Sequence, residues 1–509
     1  MPVTQENDAK TPPGTQVLDL VTSSGSSHGT TGEEENNDLD YDATKWYNKK
    51  LFGKLPAYSS GLSQVLMVSF VCFLCPGMYN ALSGMGGAGL SSATLSNKAN
   101  IALYSCFATF GFFSGTIVNT VGVRWSLAFG GTGYSIYIGS FLCYKHTGNE
   151  GFIIFAGAWL GLTAATLWAA TSTCNISYPT EAKKGTYMFI FWAIFNLGGV
   201  IGSLIPLAQN MNNSSGDVTD GSYVAFLILT ILGAFIALFM LPTKNVRRTD
   251  GTKVIYQKNP NIVSELTELV KLLFKEPWIV LLFPMFFASN FFYTYEQSDF
   301  AIAFTVRTRS LNSLLFWLMQ MVGSYVIGFL LDLKRFSRRS RGIMGWITLF
   351  ILTQIIWGIG MLWVKGRSRG QTISLIDFKE GRYIGPMFLY MFFGFFDAVW
   401  QCYSYWVMGA LTNSARKGAI YAGWYKGLQS AGSAIAWSMD LNEKPYKTMY
   451  GTTWGLLAGS LVVAFPILYL KVSNTTEIEK DLKDIKGNSE EILNELNIQK
   501  SSTVSKELA

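Results

Sequence analysis

Twelve stretches of this chain are long and apolar enough to cross a bilayer, and they fix most of what it can become. A hydrocarbon core of about 30 Å takes about 20 apolar residues in a helix. The runs fall at 61–82, 98–118, 125–144, 151–173, 185–207, 223–242, 278–300, 311–332, 342–364, 383–411, 418–439 and 451–470. They are continuous, without the short alternating strands of a membrane barrel. The sequence therefore predicts an all-α multi-pass membrane protein with twelve transmembrane helices. Charge is sparse, as that class requires: 14% of the residues are charged, against about 25% in a soluble domain.

An even number of spans puts both tails on one side, and Lys and Arg choose the side. The loop 243–277 carries Lys244, Arg247, Arg248, Lys253, Lys258, Lys271 and Lys275, which places both termini in the cytoplasm. The segment 365–382, with Lys365, Arg367, Arg369, Lys379 and Arg382, pulls the other way. Asn212 and Asn213 each begin a glycosylation sequon in a loop that this orientation puts outside. The expected organisation is an acidic, disordered tail (1–54), a six-helix half (55–242), a cytoplasmic central loop (243–277), a second six-helix half (278–472) and a cytoplasmic tail (473–509).

Several functions drop out. The net charge of +7 sits in short clusters between apolar runs, so it reads as membrane orientation and not as a nucleic-acid surface. Two histidines give little basis for a metal site. Cys72-x-x-Cys75 lies inside an apolar run with no strand before it, unlike a redox pair. Gly84-x-Gly86-x-x-Gly89 has dinucleotide-turn spacing, but it follows an apolar helix and leads into a polar loop, so helix termination and close packing explain it better. No phosphate-binding Gly-x-x-x-x-Gly-Lys-[Ser/Thr] occurs. No cofactor and no enzymatic constellation are expected.

The two halves echo one another. The second run ends in Gly115-x-x-x-Asn119-x-x-Gly122-x-Arg124, and the eighth in Gly328-x-x-x-Asp332-x-Lys334-Arg335. The fifth opens with Ala182-Lys183-Lys184-Gly185, and the eleventh with Ala415-Arg416-Lys417-Gly418. Trp168 and Trp400 precede these last two motifs at similar distances. Ordered anchors of this kind indicate a duplicated six-helix unit in parallel orientation, the repeat of the major facilitator architecture.

"CPGMYNALSGMGGAG", Cys75 to Gly89, resembles the end of the first helix in the fungal branch of the uncoordinated-93-like (Unc-93) membrane proteins, a divergent group of the major facilitator superfamily. The Gly115–Asn119–Gly122–Arg124 loop, "NLGGVIGSLIP" from Asn196 and "FFASNFFYTYEQ" from Phe286 are similar to that family too. The resemblance covers about residues 55–472. It implies a major facilitator fold of two six-helix halves around a central cavity. Its members include suspected transporters and suspected regulators of other membrane proteins. In the superfamily's gating loop an acid normally stands where this chain has Asn119. The first copy is therefore expected to lack its charge network, while Asp332 and Arg335 keep the second.

Charge inside a bilayer costs at least about 2.5–3.5 kcal/mol per group at mid-span, so such groups are functional candidates. Glu296 and Asp299 are three apart, as a proton- or cation-coupling pair would be, or they form a solvated helix end. Asp397 and Lys426 stand at mid-span on sequential antiparallel helices, either as a structural ion pair or as a cavity-lining pair. Asn80, Asn196, Asn290, Gln320 and Gln401 need partners in hydrocarbon. The resemblance makes Asn80 and Asn290 the cavity candidates, because the first and seventh helices flank the cavity. The first expectation is ion- or proton-coupled transport of a small solute by alternating access. The alternative is a non-transporting regulator or chaperone with a membrane-protein partner.

Overall fold

In a computed structural model of the chain, residues 44–51, 55–83, 93–210, 220–254, 262–371 and 374–476 are described. The glycine-rich stretch 84–90, Asn212, Asn213 and the tails 1–43 and 477–509 lie outside these residues. The helices in chain order are α1 (Gly61–Leu74), α2 (Pro76–Ser83), α3 (Ala93–Val121), α4 (Val123–Thr147), α5 (Glu150–Ser177), α6 (Lys184–Asn210), α7 (Asp220–Ala237), α8 (Ile262–Lys275), α9 (Phe283–Ala288), α10 (Val306–Leu331), α11 (Arg338–Val364), α12 (Ile384–Leu411), α13 (Ala415–Leu441) and α14 (Tyr446–Leu470).

Among the described residues nine helical stretches are long and apolar enough to cross a membrane: α1 with α2, then α3, α5, α6, α7, α10, α11, α12 and α14. The other three expected runs fall on α4, α13 and a broken segment around α9, none of which meets that measure. The segment around α9 is apolar but too short, and in α13 the reason is polar content. α13 carries Arg416, Lys417, Lys426 and Asp440, all buried.

Local chemistry sets the helix ends. Ser60 and Asn149 accept from backbone N–H groups three residues on, at 3.2 Å each, and cap α1 and α5. Gly122, at φ 90°, makes the one-residue corner between α3 and α4. The faces left outward are apolar. Ile347, Ile351, Ile355 and Ile359 form a stripe along α11, and Ile228, Ile231, Leu232 and Phe235 do so on α7. Apolar patches of this extent mark contact with lipid or a partner.

Small residues set the tightest crossings. A Cβ on Gly111 of α3 would stand 2.7 Å from the Gly427 Cα of α13, and one on Gly115 would strike the Ala419 carbonyl oxygen. Gly157 of α5 meets the Ala99 carbonyl oxygen of α3 in the same way, at 2.8 Å. The pair Gly455 and Gly459 has the same spacing but faces open space. Spacing alone does not say which face is packed. Gly111→Ala is expected to cost about 1–3 kcal/mol through overpacking, read as a lower melting temperature of the purified protein, while Gly455→Ala leaves it unchanged.

The segment 365–382 is tied back onto α10. Arg307 Nε donates to Asp377 at 2.6 Å and holds that carboxyl down to about 2, so the contact stays charged at neutral pH.

Candidate functional site

Two interrupted helices build the centre of the bundle. The first run breaks at Cys75, where Pro76 has no N–H for the helix to continue through. The seventh is a 3-10 turn (Pro277–Leu282), then α9, turns at 289–292 and a π-helical turn (Tyr295–Phe300). Broken backbone inside a membrane must find polar partners. Ser433 Oγ donates to the Asn290 carbonyl at 3.4 Å, and Gln429 Nε2 donates to Asn290 Oδ1 at 2.9 Å.

A cavity of about 80 Å³ lies between these breaks, and Asn80, Asn290, Gln401 and Lys426 all line it. Its two walls differ. Residues before position 242 are aromatic or aliphatic apart from Asn80, with Trp168, Trp192 and Phe195 among them. Residues after 277 are Asn290, Tyr293, Gln401, Lys426, Gln429 and Ser430, every one of them with a polar group.

Asp397 does not line the cavity. It lies behind the polar wall, wholly buried. Its carboxylate accepts from Tyr293 Oη at 2.6 Å, Gln320 Nε2 at 2.7 Å and Gln401 Nε2 at 2.9 Å. Gln320 Oε1 in turn accepts from Trp192 Nε1 at 2.9 Å, whereas Asn196 bonds back to its own helix. Lys426 donates to Gln429 Oε1 at 2.8 Å, and its ammonium stands 4.4 Å over the Trp168 ring and 4.9 Å over Tyr425. Gln401 and Gln429 are bonded to each other at 3.1 Å, so two neutral amides stand between the charges. Asp397 and Lys426 therefore form no ion pair. Gln429 and the aromatic cage went unread in the sequence, although Gln429 lies three residues from Lys426, in reach on a helix.

Glu296 and Asp299 are not a pair either. A π-helical turn advances fewer degrees per residue than an α-helix, so three residues no longer return to one face. Both are buried instead of solvated. Among the described residues neither carboxyl oxygen of Glu296 has a hydrogen-bond partner. Asp299 meets Arg369 at 3.4 Å, and Arg369 also holds Asp440 at 2.5 Å. Asp440 further accepts from Asn97 at 3.0 Å and Ser298 at 2.9 Å. This cluster ties the start of α3 to the end of α13 at one end of the bundle.

The other end, where α8 lies, holds the repeated motifs. Asp332 accepts from Gly185 N at 2.8 Å and from Thr186 Oγ1 at 2.6 Å, capping α6, with Gly328 against Gly185. Arg335 is exposed, and Arg338 takes the inward place, on Glu181 at 3.1 Å. In the first copy the charge network is present after all. Glu265 of α8, fully buried, pairs with Arg416 at 2.9 Å and accepts from Asn119 Nδ2 at 3.0 Å. Asn119 reads as a donor to an acid supplied by α8. The signal was available: Glu265 shares a helix face with Leu269 and Leu272, the other buried residues of α8. Gly122 and Arg124 line a second cavity beside this cluster, of about 370 Å³, and Arg124 Nε donates to the Met240 carbonyl at 2.5 Å.

A helical bundle closed around a mid-depth polar cavity, with paired Gly-x-x-x-Asn/Asp corners at one end, is the architecture of the major facilitator superfamily, and this chain has that fold. The proton:xylose symporter bound to 6-bromo-6-deoxy-D-glucose matches with TM-score 0.55 over 82% of this chain and 97% of its own, at 12% identity. The Escherichia coli fucose:proton symporter matches with TM-score 0.54 over 81% and 98%, at 10% identity. The family described as "Ion channel regulatory protein UNC-93" matches residues 98–468, and the chain belongs to the UNC-93 family. An UNC93-like protein of Schizosaccharomyces pombe is 49% identical over 83% of this chain and 84% of its own. UNC93-like protein 1 of Arabidopsis thaliana is 39% identical over 84% and 94%.

Proposed function

We propose that this UNC-93 family member is a secondary transporter that moves a small solute by alternating access, energised by a proton or ion gradient. In this reading the chain has twelve spans in two six-helix halves, 55–242 and 278–472, joined by the central loop 243–277, with both termini cytoplasmic. The observation that carries it is the small cavity lined by a buried lysine, with a charge cluster at each end that ties α3 to α13. Opening one end breaks one cluster and leaves the other in place. Glu296, buried and with neither oxygen hydrogen-bonded among the described residues, is the proposed proton carrier. Keeping an unpaired carboxylate ionised there is costly, and a proton relieves it.

The test is reconstitution into liposomes loaded with a pH-sensitive dye. Added solutes are expected to drive proton movement in the wild type and not in Glu296→Gln. If a solute is taken up at equal rates in both proteins, Glu296 is not the coupling group. The family's description as ion channel regulators favours a second reading, in which the same fold holds a channel partner. Under it, no solute moves protons and the protein co-purifies with a channel from its own membrane.

A further inference from the structure

The walls of the central cavity differ enough to specify what it holds. One is aromatic and aliphatic apart from Asn80, and the other carries a single charge, that of Lys426. This ammonium is 3% exposed and spends one donor, on Gln429 Oε1. Among the described residues no carboxylate lies within salt-bridge distance; the charge of Asp397 acts on the ammonium only at longer range, because Asp397 is held by three neutral donors behind the wall with Gln401 and Gln429 between. The Trp168 and Tyr425 faces offset part of the cost of burying the charge. They supply no counter-charge. Asn80 and Tyr104 line the same cavity, and no hydrogen bond of either is found among the described residues. A cation entering here meets a like charge, and a neutral polyol leaves the ammonium without a direct counter-ion. A carboxylate supplies both the missing charge and acceptors for the idle donors.

We propose that the cavity selects an organic monoanion with an apolar, aromatic or branched body, its carboxylate against Lys426 and its body against the wall of Trp168, Trp192 and Phe195. This rests on the reading of the cavity as the substrate site.

Three ligands of nearly one shape separate the possibilities: benzoate, benzamide and benzylamine. Equilibrium binding of radiolabelled benzoate is measured on the purified full chain in lipid nanodiscs, with the other two as competitors. Saturable benzoate binding is expected, with benzamide and benzylamine at least about tenfold weaker, a difference of about 1.4 kcal/mol. Lys426→Gln should lose at least that factor and Lys426→Arg should retain most of the affinity, with melting temperatures recorded to show that both variants fold. Equal competition by benzamide or benzylamine, unchanged binding in Lys426→Gln, or no saturable binding of benzoate overturns the proposal. Saturable benzoate binding with no uptake into liposomes under a proton, sodium or potassium gradient sinks the transport reading and leaves this one standing. Uptake of a solute that benzoate does not displace and Lys426→Gln does not impair does the reverse.

Discussion

Replacing Glu265 by Gln is expected to unlock the α8 end of the bundle. Glu265 and Arg416 are both buried, and Asn119 donates to the same carboxylate. Removing one partner of a buried pair costs about 3–5 kcal/mol, because the other charge keeps its desolvation penalty. That loss falls only on the conformation in which α8 is docked. A two-state equilibrium moves from 1:99 to 99:1 on about 5.5 kcal/mol, so a loss of this size reorders the populations. Amide hydrogen exchange is expected to rise in α8 and in the first turns of α13, by about a hundredfold or more. It should stay near wild type at the Asp440 cluster. Unchanged exchange in α8 would mean that Glu265 is a passive neighbour.

The second large effect is expected at Asp397, where two substitutions should part company. Asp397→Ala strands the Tyr293 hydroxyl and the Gln320 and Gln401 amides, which all donate to it. Each buried donor left unmade costs about 1–3 kcal/mol, so a drop of several kcal/mol and poor yield follow. Asp397→Asn keeps the shape and one acceptor and removes the charge. Its NH2 group faces one of the three donors, so it should cost about 1–3 kcal/mol, well short of the loss in Asp397→Ala. If Asp397→Ala melts like wild type, the network around Asp397 does not hold the core together.

Much of this fold was legible because membrane burial writes itself in long apolar runs, and the duplicated corners at Gly115 and Gly328 are short-range signals. Asn80, Asn290, Gln401 and Lys426 line one cavity, since a polar group in an apolar run has few other places to go. Contacts made by distant parts of the chain were not legible. Glu265 completes a corner that begins at Asn119, and Arg369 closes an end from the loop after α11. The pairing of Glu296 with Asp299 failed for a local reason. A three-residue spacing means a shared face only in an α-helix, and this segment turns as a π-helix. The same holds for Asp397 and Lys426, where sequential antiparallel spans suggested contact and two glutamines intervene.

The central claim is that the two ends open reciprocally around the cavity. Distances between spin labels test it most directly, with one pair at Lys183 and Lys334 near α8 and another at Thr147 and Ser368 at the opposite end, all on exposed residues. The account predicts two distance populations at each pair, the α8-end pair lengthening as the other shortens. Glu265→Gln should shift both toward the opened α8 end. One unchanging distance at each pair, in wild type and variant, across pH and with added benzoate, would contradict it and leave a rigid scaffold in place of a transporter.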